Sequence, residues 1–347
     1  MKKMIVRAVD VGYGHVKYSL GLGANGEVLC DRFPSLSPPY TSHMYINASF
    51  MQQRNTFVVG IEDRQYEVGK EVMAAIDPNF EGTVMDLNFA ISDAYRARLY
   101  GALNYIAQDI PDNFIDILIL GLPLNTFTKY KNTLADQFTG PHTINSSGKK
   151  IEVRRCEIYP QPFGSYMKHI SSAKAGTSYP VALVVDVGYN TFDWLVCHGK
   201  STRQYGAAMR GMSSVINAMA KEVIKTIDST ATESSIMRRI DAALMTGSKF
   251  TMYGKPVKLD AAQKMGESVI RDAADKLKSA LQDAADIDLI ILTGGGAPFY
   301  RQAISQKFPN HNLILLDDSA MGNVRGFHMV GESLARSLSR AVSGVAA

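Results

Sequence analysis

Two aspartates open the same four residues, Asp10-Val11-Gly12-Tyr13 and Asp186-Val187-Gly188-Tyr189. Each closes an apolar run, Met4 to Val9 and Val181 to Val185. A second run follows each, Val16 to Leu22 and Phe192 to Cys197. The pattern predicts strand, tight glycine turn, strand in both places. A carboxylate there repels phosphate directly but can hold a hydrated Mg²⁺ that bridges to it. The glycines leave room for backbone N–H groups to approach phosphate oxygens. Two such hairpins, half a chain apart, predict two similar halves that clasp a polyphosphate from both sides.

Other residues fall in line with them. The order runs Asp10-x-Gly12-x-Gly14-x-x-Lys17, then Pro160-Gln161-Pro162, then Asp186-x-Gly188-x-x-Thr191-x-Asp193, then Gly294-Gly295-Gly296. Singly, each has an ordinary reading. Asp-x-Gly is more often a plain hairpin turn, Lys17 a solvated strand lysine, and Gln161 a loop residue. The three glycines read as a flexible turn, although amides at a helix N-terminus also receive phosphate or ribose. Their order carries the weight. Gly199-Lys200-Ser201 lacks the earlier glycine of a Walker loop and opens no helix. Gly12-x-Gly14 has no third glycine and continues into a strand, so it is no Rossmann turn.

The elements that must position these residues are legible in outline. Residues 23–70 hold further strand-like pieces, including Thr56 to Ile61, and read as peripheral. A helix is predicted from about Ser92 to Asp109, then a buried strand, Ile115 to Leu122. Ile151 to Tyr159 reads as one strand, residues 160–164 as a hinge, and Ser165 to Ala173 as a helix. In the second half Ser213 to Ile227 is a predicted helix, and 228–258 is polar and less periodic. Residues 260–285 form the clearest helix, with Asp260 as cap and Met265, Val269, Ala273, Leu277, Leu281 and Ala284 as its apolar stripe. Strand Leu289 to Thr293, a helix from about Phe299, strand Leu313 to Leu316 and a helix from about Asn323 to Leu338 close the chain. The fold class is α/β, two halves with mixed sheets.

Composition narrows the partners. At 347 residues the chain has room for two domains, and 46% hydrophobic with 20% charged is ordinary for a soluble protein. A net charge of +4 without an arginine-rich arm gives no nucleic-acid module. The longest apolar stretches are strand-sized, so no membrane span is expected, and Asp10 interrupts any signal-peptide core. Cys30, Cys156 and Cys197 are widely spaced and read as reduced thiols of a cytoplasmic protein. The seven histidines show no metal-ligand spacing.

The ordered motifs resemble the actin-like ATPase superfamily over nearly the whole chain. The two hairpins look like its phosphate loops, and Ile290 to Ala297 like its adenosine motif. Pro160-Gln161-Pro162 and Met321 to Phe327 lie where its two connecting helices begin. Leu122-Pro123-Leu124 and the closing Asn323 to Gly331 are most similar to the plasmid-segregation actins of the ParM/StbA type.

That resemblance implies a two-domain actin-like fold with a nucleotide cleft between the domains. Domain I would span 1–160, with a peripheral insert at about 25–80 and the helix at 323–347 packed back on it. Domain II would span 161–322. ATP with Mg²⁺ is the implied cofactor, with GTP left open. Asp10 and Asp186 would organise Mg²⁺ through water. Gly12, Tyr13, Gly14 and His15 form the first phosphate loop, with Lys17 as a point charge. Gly188, Tyr189, Asn190 and Thr191 form the second, and Gly294, Gly295 and Gly296 pass ribose and α-phosphate. Gln161 would orient the attacking water. Plasmid actins often carry Glu there, and an amide cannot act as a base, so slow turnover is expected. The implied function is an ATPase that forms filaments of itself and segregates plasmid DNA through a DNA-binding adaptor protein. A small-molecule kinase of the same fold and a non-catalytic nucleotide-sensing structural protein are the alternatives.

Overall fold

The computed structural model describes residues 3–40, 54–76, 88–171, 179–199, 201–227, 231–282 and 284–342. Parts of the expected insert (41–53 and 77–80), residues 172–173 of the expected helix, Lys200 of the Gly-Lys-Ser triplet, and 343–347 lie outside them. The chain divides into two compact units, 1–179 with 316–347, and 180–315.

The first unit opens with β1 (Val6–Val11), β2 (His15–Leu22) and β3 (Val28–Pro34), followed by the hairpin β4 (Thr56–Ile61) and β5 (Arg64–Gly69). After α1 (Asp93–Ile106) come β6 (Phe114–Ile115), β7 (Ile117–Leu122), α2 (Leu124–Gln137), β8 (Gly140–Thr143), β9 (Lys150–Val153), β10 (Cys156–Pro160) and α3 (Gln161–Ser171). The main sheet has the order β10-β7-β1-β2-β3, with β1 antiparallel to β2 and parallel to β7. Alternation along β1 serves two layers. Val9 and Val11 join the core under α1, while Val6 and Ala8 pack with Val324 and Phe327 of the last helix. Burial on both faces explains why this strand reads as a continuous apolar run.

The second unit has β11 (Val181–Val187), β12 (Phe192–His198), β13 (Ser201–Ala208), α4 (Met212–Thr226), α5 (Glu233–Thr246), β14 (Thr251–Met252), β15 (Lys255–Pro256), α6 (Asp260–Leu281), β16 (Leu289–Thr293), α7 (Ala297–Lys307) and β17 (Asn312–Leu315). Its sheet runs β13-β12-β11-β16-β17, again an antiparallel hairpin beside parallel strands. The chain then returns to the first unit as α8 (Gly322–Val342).

Several expectations change. Ile151 to Tyr159 is two strands in different sheets, β9 and β10. Residues 161–164 are helical, because Pro162 sits in the first turn of α3, where a missing N–H costs nothing. The units divide at 179/180, with α3 in the first, not at 160/161. The described part of the 25–80 stretch is not peripheral. Phe33, Val59, Ile61 and Val68 are buried in one core with Leu99 and Leu103 of α1. Asp260 is the first helical residue of α6, behind Leu259, and caps nothing. Met265 is 45% exposed, and the buried stripe runs through Gly266, Ala273, Ala274, Leu277 and Leu281. A Cβ on Gly266 would come to 3.0 Å from Val215 and 3.2 Å from Met219, so a larger residue needs those side chains of α4 to give way. Two helices escaped the periodicity argument. α2 buries only Leu124, Thr126, Tyr130 and Leu134, and α5 only Ile236, Ile240 and Ala243. The N-cap Thr232, which accepts from Ser235 N, and Gly247 in the left-handed region bound α5 by local chemistry instead.

Candidate functional site

In the first unit, register places Lys17 directly across from Asp10. Asp10 is fully buried at the end of β1. Lys17 Nζ donates to its Oδ2 at 3.1 Å, and Gln161 Nε2 to its Oδ1 at 2.6 Å. A buried carboxylate needs such partners, because it has left water behind. A carboxylate oxygen only accepts, so the Gln161 NH₂ must face Asp10 and its carbonyl oxygen is the atom left to accept elsewhere. Gly121 makes the room. A Cβ there would strike the Phe327 ring and lie 3.2 Å from Asp10 Oδ1.

The turn itself is braced from outside. Ser35 N donates to Gly14 O at 3.0 Å, and the Tyr13 ring lies 4.9 Å from Phe89. A Cβ on Gly12 would come to 3.1 Å from the His15 carbonyl. Burial, then Arg32 and Lys17, push His15 down to about 4, so it is neutral at pH 7.

Gln161 owes its place to α8. Ser165 donates to Asn323 Oδ1 from its backbone N at 3.2 Å and its hydroxyl at 2.6 Å. One residue away, a Cβ on Gly326 would overlap the Gly164 carbonyl, so the two helices cross at backbone contact. The side chain that holds Asp10 is thus carried on a helix pair with no slack at the crossing.

The second unit repeats the hairpin with one reversal of charge. Asp193 stands across from Asp186, where Lys17 stands across from Asp10. Asp193 is 1% exposed, and Thr191 Oγ1 donates to its Oδ2 at 2.8 Å. Burial first and the Asp186 charge second push Asp193 up to about 7, against the Thr191 bond. The turn is tight, with Gly188 N donating to Thr191 O at 2.9 Å. Three amides at the start of α4 close on it. Gly211 N reaches Asn190 O at 3.1 Å, Met212 N reaches Gly188 O at 3.1 Å, and Ser213 N reaches Tyr189 O at 2.6 Å. Those helix-start donors are therefore spent on the turn. Among the described residues, the amides of Tyr189 and Asn190 enter no backbone hydrogen bond outside the strands.

The three glycines have separate jobs. Gly294 lies at φ +89, and a Cβ there would run into the Asp186 carboxylate and the Val187 carbonyl. Gly296 N donates to Val187 O at 2.9 Å, and a Cβ there would hit Val187 and Met212. Only Gly295 faces open space.

The structure thus groups Asp10, Gly12, Tyr13, Gly14, His15, Lys17 and Gln161 in the first unit. It groups Asp186, Gly188, Tyr189, Asn190, Thr191, Gly294, Gly295 and Gly296 in the second. Gly121, Asn323 and the cross-strand role of Asp193 escaped the site assignment. A signal for Asp193 existed, since it follows Asp186 by the same seven residues that separate Lys17 from Asp10.

Each unit is a mixed sheet flanked by helices, with a carboxylate at the glycine turn of its leading hairpin, which is a fold of the actin type. The chain belongs to the actin-like proteins. Residues 8–164 match the family of actin-like proteins, N-terminal domain, and 184–306 match the archaeal actin homologue MreB-like, C-terminal domain. A ParM structure described as a pCBH ParM non-polymerisable quadruple mutant is 20% identical, with a TM-score of 0.72, over 94% of this chain and 99% of that one. A 15-stranded ParM filament from Clostridium botulinum is 19% identical, TM-score 0.72, over 95% and 99%. Ta0583, an archaeal actin homologue solved in complex with ADP, is 17% identical, TM-score 0.71, over 95% and 100%. No curated protein sequence matches the chain.

Proposed function

We propose that this protein is an ATPase that assembles into filaments with ATP and Mg²⁺, and that hydrolysis limits filament lifetime. One observation carries the reading. Each unit holds a buried aspartate at the glycine turn of its leading hairpin, and in the first unit the Gln161 amide is locked onto that aspartate at 2.6 Å. A fold neighbour solved with ADP and another solved as a filament support it.

The donor set fits a magnesium ion held through water. Among the described residues no cluster of three or more His, Cys, Asp or Glu could grip a metal directly. Among the described residues Asp10 meets one donor on each oxygen and keeps lone pairs for a metal-bound water. Asp10 and Asp186 would hold the ion, which when bound neutralises phosphate charge. Gly12, Tyr13, Gly14 and His15, with Lys17, would hold phosphate from one hairpin, and Gly188, Tyr189, Asn190 and Thr191 from the other. Gly294 brings β16 against Asp186, and Gly295 exposes backbone toward the ribose. The Gln161 carbonyl oxygen accepts from the attacking water and orients it, without removing its proton. GTP would satisfy the same contacts.

The proposed cellular work is partition of plasmid DNA in the cytoplasm, with an adaptor protein choosing the DNA. Light scattering and phosphate release, followed in one sample with ATP and Mg²⁺, test the reading. Scattering should rise with ATP, then fall as phosphate appears. No rise at any protein concentration would refute it, and transfer of phosphate to a hydroxyl compound would establish the kinase instead.

A further inference from the structure

Residues 221–264 carry eight lysines and arginines against five carboxylates, in a chain whose whole net charge is +4. They form the end of α4, all of α5, the β14–β15 hairpin and the first turn of α6. These pieces make one lobe. Arg239 Nη1 donates to the Thr251 carbonyl at 3.3 Å, and Ile236, Ile240, Phe250, Met252 and Ala262 are buried in one core with α4.

Within the lobe Lys225 pairs with Glu222, but most of its cations are unpaired among the described residues, and three of the cations elsewhere in the unit are held by carboxylates. Arg203 pairs with Asp286, Arg210 with Asp272, and Lys307 with Asp275. Lys221, Arg238, Lys249, Lys255, Lys258 and Lys264 are all exposed, and none makes an ion pair among the described residues. At the tip of the hairpin, Tyr253 is 66% exposed in a left-handed turn with Gly254.

We propose that this lobe binds the phosphate backbone of duplex DNA without reading its sequence. Unpaired cations on one lobe match a ligand with regularly spaced negative charge. Five of the six are lysines, point charges suited to phosphate. Lysine is depleted at protein–protein interfaces, which argues against an acidic protein partner. An anionic membrane would draw on the same charge, but Ile236, Ile240 and Ala243 of α5 are buried in the core and leave little apolar face to insert beside it. The proposal does not rest on polymerisation. It adds a sequence-blind contact to whatever adaptor selects the DNA.

The test uses the full chain without nucleotide and fluorescent duplexes of about 30 base pairs, titrated by anisotropy from about 50 to 200 mM salt. If about four phosphates are neutralised, log K falls with log salt at a slope near −3.6, a loss of roughly 100-fold across that range. Two unrelated sequences should bind alike. The triple variant Lys249→Gln/Lys255→Gln/Lys258→Gln should reduce the slope by about 2.7 and weaken low-salt binding at least about tenfold. Lys149→Gln/Lys150→Gln, exposed at the start of β9 in the other unit, should change neither. Thermal melts show that both variants fold. No binding at the lowest salt overturns the proposal. So does a triple variant that binds like the parent, a matching loss in the control variant, or capture by phosphatidylserine vesicles without capture of the duplex.

Discussion

Gln161→Ala isolates the bond that joins α3 to the aspartate of the first hairpin. The amide supplies one of the two donors that Asp10 meets among the described residues, at 2.6 Å, and the aspartate is fully buried, so water does not replace it freely. A hydrogen bond to a charged group contributes about 1.5–3 kcal/mol. Loss of about 2 kcal/mol shifts the folding equilibrium of the first unit by roughly 30-fold. Nucleotide should still bind, because Lys17 and the turn remain. Hydrolysis should slow by on the order of 10- to 100-fold, as the attacking water loses its orienting acceptor, and filaments should outlast those of the parent. Urea unfolding followed by circular dichroism reads the first effect, and phosphate release beside light scattering reads the second. The comparison with Gln161→Glu sharpens the result. That side chain has the same shape but offers a carboxylate to a carboxylate, so the pair must share a proton. An unfolding midpoint and a phosphate-release rate both unchanged in Gln161→Ala would refute the reasoning, as would polymers that decay faster than the parent's.

Asp186→Ala should reduce ATP turnover by on the order of 100-fold, as loss of preorganised charge stabilisation does, and near-parental phosphate release would remove the second hairpin from the site. Gly294→Ala should destabilise the second unit by about 1–3 kcal/mol through its φ of +89 and its contact with Asp186, whereas Gly295→Ala should fold normally and weaken nucleotide binding. Thermal melts and nucleotide titration of the two variants should therefore split, and equal melting temperatures would contradict the packing argument. His328 Nδ1 on α8 shares a hydrogen bond with Ser19 Oγ at 2.9 Å, and burial first, then Arg7 and Lys3, push it down to about 4. Because the folded form binds its proton more weakly than the unfolded one, this stability is full above pH 6.5 and is lost as pH falls from 6.5 through 4, by up to about 3 kcal/mol. His328→Gln should flatten that slope in urea melts at pH 7, 6 and 5, and an unaltered slope would show that other groups set it.

The paired hairpins were legible because a carboxylate, a glycine and flanking apolar runs all lie within a few residues of one another. Equal spacing then fixed what stands across the ladder. A seven-residue step from Asp10 reaches Lys17 and from Asp186 reaches Asp193, in register both times. What joins distant segments was not legible. The Ser165–Asn323 bond spans 158 positions, and its pairing with the Gly164–Gly326 crossing exists only once α3 and α8 pack. Taken singly, Gln161 reads as a loop or hinge residue because two prolines flank it, although a proline in a first turn starts a helix as readily as it prevents one, and only the resemblance put a helix start there. α5 stayed hidden because three buried residues in fourteen make a weak period. The charge of its lobe is diluted over 44 positions and gathers only in the fold.

The start of α4 has a mechanical consequence. Its opening amides are bonded to the carbonyls of Gly188, Tyr189 and Asn190, while its far end carries Lys221 and Lys225. Fifteen helical residues make a rod of about 22 Å, stiff on the scale of a loop shift. The second glycine turn and the basic lobe are therefore the two ends of one pushrod. A movement of the turn that keeps those three bonds carries the start of the helix with it, and a load on the lobe is felt at the turn through the same rod.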